Sequence, residues 1–140
     1  MPCLSSRYDA RLGLLLPVGV LAPGSVNPNQ PQLTGNLTLF LALIDTGATT
    51  TCISPAVAAQ VGLKPSGMRP VVSATHNVPM NTYLVDLVFM FGQVANVRAS
   101  VEVIEFAADP SSPFQMLLGR DVLCSGVFTM SHDGHFTFSL

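Results

Sequence analysis

The sequence predicts an all-β fold with one or two short helices. Its 140 residues suit a single domain. Short apolar runs alternate with stretches of Gly, Pro, Asn and Ser, a pattern typical of strands joined by turns. The clearest turn signal is Asp133-Gly134, which separates two apolar runs near the C-terminus.

The predicted strands follow from these apolar runs. One of them, residues 37–44, is almost continuously apolar, which predicts a strand buried on both faces. A loop rich in Pro, Asn and Gln is predicted at residues 22–36. The strands are expected at residues 12–21, 37–44, 71–74, 78–91, 94–106, 116–118, 127–130 and 135–140.

The clearest helix is predicted at residues 54–62. Ser54 suits the N-cap, Pro55 the first helical position and Gly62 the end of the helix. Residues 120–124 read as a second, shorter helix.

The composition narrows the possible partners. Hydrophobic residues make up 49% of the chain and charged residues only 10%, against about 25% charged in ordinary soluble domains. We therefore expect either an unusually large buried share or apolar surface covered by a partner. The net charge of −2 offers no basic patch, so nucleic acid is not an expected partner. No apolar run reaches the length of about 18 residues that a membrane span requires.

The cysteines and histidines predict neither a disulfide framework nor a metal site. Cys3, Cys52 and Cys124 fit no zinc spacing, and their odd number favours reduced thiols in a cytoplasmic protein. His132 and His135 flank a predicted turn and read as ordinary polar turn residues. We expect no metal and no organic cofactor.

A carboxylate stands at the end of the apolar run 37–44. Residues 43–48 read Leu-Ile-Asp-Thr-Gly-Ala, with the acid at Asp45. A carboxylate at the end of a buried strand has to be paired, hydrogen-bonded or protonated. Thr46 offers a hydroxyl beside it, and Gly47 allows a sharp turn.

A second landmark lies at residues 116–121, which read Met-Leu-Leu-Gly-Arg-Asp and lead into the predicted second helix. Together with Asp-Thr-Gly-Ala at residues 45–48, this segment resembles the retropepsin family of aspartic proteases. The resemblance covers residues 12–140, which we take as the protease domain, and leaves residues 1–11 as an N-terminal extension. It implies an acid-protease half-barrel that is closed by homodimerisation, with a β-hairpin flap at residues 72–80.

The resemblance also implies roles for particular residues. The catalytic group would be Asp45, Thr46 and Gly47, and Asp45 would form a dyad with Asp45 of a second copy, because the motif occurs once. A polypeptide substrate would contact Ala48, Thr75, His76, Asn77 and Val78. Gly119, Arg120 and Asp121 would support the structure and the dimer.

The sequence departs from the viral members of this family at Thr49. Those enzymes carry an acid at this position, which helps to anchor their arginine. Arg120 therefore needs another partner, and Asp121 would face elsewhere if the segment is helical.

Two other interpretations of the sequence stay open. The chain could be a module of the same fold that binds peptides or dimerises without cleaving them. It could also be a β-rich assembly protein in which the Asp-Thr-Gly tripeptide has no catalytic meaning.

Overall fold

The computed structural model describes residues 2–26, 37–72, 75 and 77–140. Strands dominate them, so the predicted all-β class with short helices is confirmed. The elements in chain order are β1 (Cys3–Arg7), β2 (Leu15–Leu21), β3 (Leu39–Ile44), β4 (Cys52–Ile53), α1 (Pro55–Val61), β5 (Gly67–Val72), β6 (Asn77–Phe91), β7 (Val94–Glu105), β8 (Met116–Leu118), α2 (Arg120–Leu123), β9 (Val127–Met130) and β10 (His135–Ser139).

The larger sheet forms the half-barrel. Its seven strands run in the order β2-β3-β8-β4-β7-β6-β5, and β2 also pairs with β6, which closes the sheet on itself. β8 lies parallel to β3 and antiparallel to β4. The two segments singled out in the sequence, one after β3 and the other after β8, therefore lie side by side.

The smaller sheet has the order β1-β10-β9 and joins the two ends of the chain. Cys3 pairs with Ser139 and Arg7 with His135. Residues predicted to be an N-terminal extension thus supply a strand, and the division of the chain after residue 11 stays a prediction. The β9–β10 hairpin lies where the sequence predicts it, with Gly134 at a φ of 85° in the turn.

The core fills the inside of the half-barrel and reaches the smaller sheet. Phe89 of β6 packs edge-on against Phe138 of β10, with ring centroids 5.9 Å apart. β3 differs from the prediction of burial on both faces, because Leu39 and Leu41 are exposed on its outer face. The inside of a barrel covers only one face of each strand.

The predicted first helix is confirmed as α1. The Ser54 hydroxyl accepts a hydrogen bond from the Val57 N–H, and Gly62 ends the helix at a φ of 74°. The second helix is the single turn α2. None of the helices in the described part of the chain is long and apolar enough to cross a membrane.

Asp86 carries a buried carboxylate within β6. It accepts hydrogen bonds from the N–H groups of Gly24 at 3.0 Å and Ser100 at 2.9 Å. The pairing of β6 with β7 shifts register between Val85 and Leu87, and Ser100 has a φ of 55°. The carboxylate thus satisfies N–H groups at an irregular point of the sheet, as a buried acid must.

Candidate active site

Asp45 lies at the point where β3 ends. Its N–H donates to the Leu118 carbonyl at the end of β8, at 3.0 Å. Its side chain is half-buried, and Oδ1 accepts a hydrogen bond from the Gly47 N–H at 2.9 Å. A Cβ at residue 47 would lie only 3.1 Å from this oxygen, so the close approach favours glycine.

Arg120 binds the turn that follows Asp45. Its Nη1 donates to the carbonyl oxygens of Thr46 at 2.8 Å and Gly47 at 3.4 Å, and its backbone N–H donates to the Ala48 carbonyl at 2.9 Å. The partners of Arg120, which the sequence does not identify, are therefore backbone carbonyl oxygens. An acid at position 49 is not required for this arrangement.

Asp121 binds Thr51 at the far end of the same loop. Its carboxylate accepts the Thr51 N–H at 3.0 Å and the Thr51 hydroxyl at 2.8 Å. The Thr51 oxygen in turn accepts the Gly119 N–H at 3.1 Å. A Cβ at Gly119 would lie 2.7 Å from the Thr50 carbonyl carbon, so this contact has room only for glycine.

A pocket of about 410 Å³ lies between this loop and β5. Its volume lies near the lower end of the range of small-ligand pockets. The residues that line it are Gly47, Ala48, Thr49, Thr50, Cys52, Pro70, Val71, Val72 and Ile104.

Cys52 lines this pocket from β4. Its thiol donates to the Thr50 carbonyl at 3.3 Å. Burial, followed by the negative charges of Asp121 and Asp45, raises the pKa of the Cys52 thiol to about 11. The thiol therefore stays protonated at neutral pH, which argues against its use as a nucleophile.

The β5–β6 hairpin stands where the flap is predicted. Its last described pair is Val72 with Asn77, and Asn77 and Val78 are exposed. Thr75 is also exposed, whereas His76 lies outside the described residues. The strand β5 begins at residue 67 rather than at the predicted residue 71, since its pairing with β6 begins at Gly67. Residues 73 and 74 of the predicted strand lie outside the described residues.

The structure brings only part of the predicted site together. Among the described residues, Gly47 and Ala48 line the pocket beside Asp45, whereas Thr75, Asn77 and Val78 are not among its lining residues. Sequence reasoning missed Cys52, Pro70 and Ile104, which come from three separate strands. No chemical motif marks these three residues, and only the sheet topology brings them together.

In the predicted polar turn around Asp133, a histidine lies close to the carboxylate, and the two form an ion pair only when the histidine is protonated. His135 Nδ1 lies 3.3 Å from Asp133 Oδ1. Within the described ranges, no group of three or more His, Cys, Asp or Glu residues is placed to hold a metal ion.

Comparisons with known proteins agree with this fold. The model of a protein family described as aspartyl protease matches residues 32–122. Among solved structures, the chain is similar to a retropepsin-like aspartic protease from Rickettsia conorii, with a TM-score of 0.65 and 13% sequence identity. That match covers 97% of this chain and 89% of the other. No curated protein sequence matches the chain.

Proposed function

The chain belongs to the aspartyl protease family, and from this premise we propose that it is an endopeptidase that works as a homodimer. The observation that carries the proposal is Asp45, a half-buried carboxylate at the end of β3, oriented by the Gly47 N–H. It stands beside a pocket lined by the residues that follow it in the chain. An extended peptide would bind along this loop.

The dimer is proposed because the chemistry needs two carboxylates. The tripeptide Asp-Thr-Gly occurs once in the chain, so the second carboxylate would be Asp45 of another copy, related by a two-fold axis. Thr46 and Gly47 are exposed in the single chain, which leaves them accessible to such a partner.

The proposed reaction follows from two like charges about 3 Å apart, which cannot both ionise. The pair would share one proton and titrate as a unit. The ionised carboxylate removes a proton from a water molecule, whose oxygen attacks the scissile carbonyl carbon. The protonated carboxyl donates to the carbonyl oxygen, and the resulting diol collapses as a proton passes to the leaving amine.

A hairpin and a set of supporting residues would also contribute to this reaction. The β5–β6 hairpin would close over the substrate and exclude water. Thr75, Asn77 and Val78 would contact the substrate, and so would His76, as the sequence predicts. Gly119, Arg120 and Asp121 would hold the catalytic loop through the contacts described above. We also propose a cytoplasmic location, which the three free cysteines support.

The decisive experiment compares the wild type with Asp45→Asn on a peptide library between about pH 4 and 6.5. We expect the variant to lose activity by at least about 1000-fold, because an amide cannot act as the base. Asp133→Asn is the matched control, since it alters the other Asp-Gly pair, which lies in the β9–β10 turn. Cleavage that survives in Asp45→Asn would refute the proposed chemistry.

Mixing the two proteins tests the shared dyad. After subunit exchange with an equal amount of Asp45→Asn, the activity per wild-type chain should fall to about half, because half of the wild-type chains would then pair with an inactive copy. Activity that stays constant after exchange would show that each chain works alone. Peptide binding without cleavage by either protein would instead support a binding module.

A further inference from the structure

The β5–β6 hairpin leaves the barrel at one residue of β6. Thr82 pairs with Gly67 of β5 on one side and with Ile104 of β7 on the other. The ladder between β6 and β7 ends there, so residues 77–81 pair with β5 alone in the part of the chain that the structure describes. β6 therefore belongs to the hairpin before Thr82 and to the barrel after it.

Thr82 also holds the start of β5. It is buried, and its carbonyl accepts a hydrogen bond from the Ser66 N–H at 2.7 Å. The hydroxyls of Thr82 and Ser66 lie 3.3 Å apart and form a second hydrogen bond. Because both strands of the hairpin are fixed at Thr82, a motion of the hairpin relative to the barrel has to turn about this point.

A carboxylate bridges the same point on the inner face of β6. Tyr83 and Asn81 are two residues apart in the strand, so their side chains lie on one face. Both donate to Oε2 of Glu105 at the end of β7, Tyr83 at 2.6 Å and Asn81 at 3.5 Å. Tyr83 is part of the barrel and Asn81 is part of the hairpin, so a single oxygen atom spans the junction.

The two hydrogen bonds differ in strength. The bond from the buried Tyr83 phenol is short, as is typical when the acceptor is charged. Burial, followed by the hydrogen bond and the charge of Glu105, raises the pKa of Tyr83 against a smaller opposing effect of Asn81, so the phenol stays a donor at neutral pH. The Asn81 contact is longer than the usual range of about 2.7–3.2 Å. Glu105 is thus held firmly by the barrel and weakly by the hairpin.

We propose that Glu105 is a positioning residue, which is held by Tyr83 and sets, through Asn81, the angle at which the β5–β6 hairpin stands over Asp45. The inference rests on the proposed function in that it takes the hairpin for the lid of the active site. Glu105 itself does not touch the substrate. A hairpin released from this carboxylate adopts more orientations, and only some of them bind substrate, so KM rises while the chemical step is unchanged.

The first test removes the donor on the hairpin. Asn81 is half-buried, and Asn81→Leu replaces its amide by an apolar group of similar size. On a peptide that the wild type cleaves, we expect KM to rise by about fivefold to tenfold and kcat to change by less than about twofold. In hydrogen–deuterium exchange without substrate, the amides of residues 67–72 and 77–81 should exchange roughly tenfold faster, whereas those of residues 84–91 keep their rate.

The second test removes the donor on the barrel. Tyr83→Phe should raise KM in the same direction, and the double variant with Asn81→Leu should raise it no further, because both substitutions act through one carboxylate. Tyr8→Phe is the matched control, since the Tyr8 hydroxyl donates to the Ser131 carbonyl at 2.9 Å in the smaller sheet. If Tyr83→Phe fails to fold in a thermal melt, Asn81→Leu and the donor exchange below decide.

The third test exchanges donor and acceptor across the junction. Asn81→Asp combined with Glu105→Gln gives the hairpin the acceptor and the barrel the donor, while the new amide oxygen still accepts from Tyr83. We expect this double variant to return KM to within about threefold of the wild type. A double variant no better than Asn81→Leu would overturn the proposal, because the contact itself would then not control KM.

The possible outcomes separate this inference from the proposed function. Faster hairpin exchange in Asn81→Leu without cleavage by any of the proteins would overturn the enzyme and keep the role of Glu105. Cleavage with KM and hairpin exchange unchanged in Asn81→Leu would overturn the role of Glu105 and keep the enzyme. A fall in kcat at constant KM would also overturn that role, since the contacts would then support the chemical step instead of the lid.

Discussion

The loop that follows Asp45 and the β5–β6 hairpin face the same pocket but are held very differently. Three hydrogen bonds tie the loop to α2 and its N-cap. Arg120 donates to the Thr46 carbonyl, the Asp121 carboxylate accepts the Thr51 hydroxyl, and the Gly119 N–H donates to the Thr51 hydroxyl oxygen. The strand β5 is exposed at every residue and, within the part of the chain that the structure describes, pairs only with β6. The proposed chemistry thus lies on a segment with many constraints, and the proposed lid on one with few.

This difference suits a hydrolase. A catalytic carboxylate must be held in place before the substrate arrives, because its efficiency depends on orientation. A lid must open and close, so its position cannot be fixed by many contacts. The comparison predicts that substitutions at the loop affect turnover and stability strongly, and that substitutions at the hairpin affect mainly substrate binding.

The largest effect is expected for Gly119→Ala. The new methyl group would lie 2.7 Å from the Thr50 carbonyl carbon and 2.9 Å from the Thr51 nitrogen, so the loop must move. We expect a loss of about 2–3 kcal/mol in the free energy of unfolding, measured by urea denaturation, together with loss of cleavage.

Gly92→Ala is the control for this substitution. Gly92 has open space around it but a φ of 65°, so alanine there is strained without a clash and should cost about 1 kcal/mol. If Gly119→Ala were no more destabilising than Gly92→Ala, the loop would be less constrained than we infer.

A smaller effect is expected at Arg120. Arg120→Gln removes the charged donor to the Thr46 carbonyl, and we expect kcat to fall by about 10- to 100-fold with little change in KM. Arg120→Lys keeps a charged donor and should restore part of kcat. A rise in KM with unchanged kcat would place Arg120 in substrate binding instead of in support of the loop.

The local features of the fold could be predicted from the sequence, whereas contacts between distant segments could not. α1 follows from Ser54 and Gly62, because capping is decided by neighbouring residues. β1 has no such signal, since Cys3–Arg7 is short, mostly polar and paired with the other end of the chain. The outer face of β3 was also predicted wrongly, because an apolar run does not show which face the barrel covers.

The same limit applies to the candidate site. Asp45 and Gly119 could be found from their motifs, since each motif is contiguous. The acceptors of Arg120 are backbone carbonyls, which carry no mark in the sequence. Pro70 and Ile104 reach the pocket only through the order of the strands.

The smallest effect is expected for the ion pair between Arg69 of β5 and Glu102 of β7. The two groups lie 2.7 Å apart with 57% and 36% of their side-chain surface exposed. Solvent screens such a pair, so a double-mutant cycle with Arg69→Gln and Glu102→Gln should give a coupling of at most about 1 kcal/mol in the free energy of unfolding.

The pair nevertheless joins the outer strand of the hairpin to the barrel across β6. If the pair restrains the β5–β6 hairpin, each single variant should change KM by about twofold to fivefold and leave kcat unchanged. The double variant should change KM to the same degree as each single variant. If the single variants lowered kcat as much as Arg120→Gln does, the loop after Asp45 and the β5–β6 hairpin would not differ in the way we infer. Added salt provides an independent check, because screening should reproduce the KM effect in the wild type but not in the double variant.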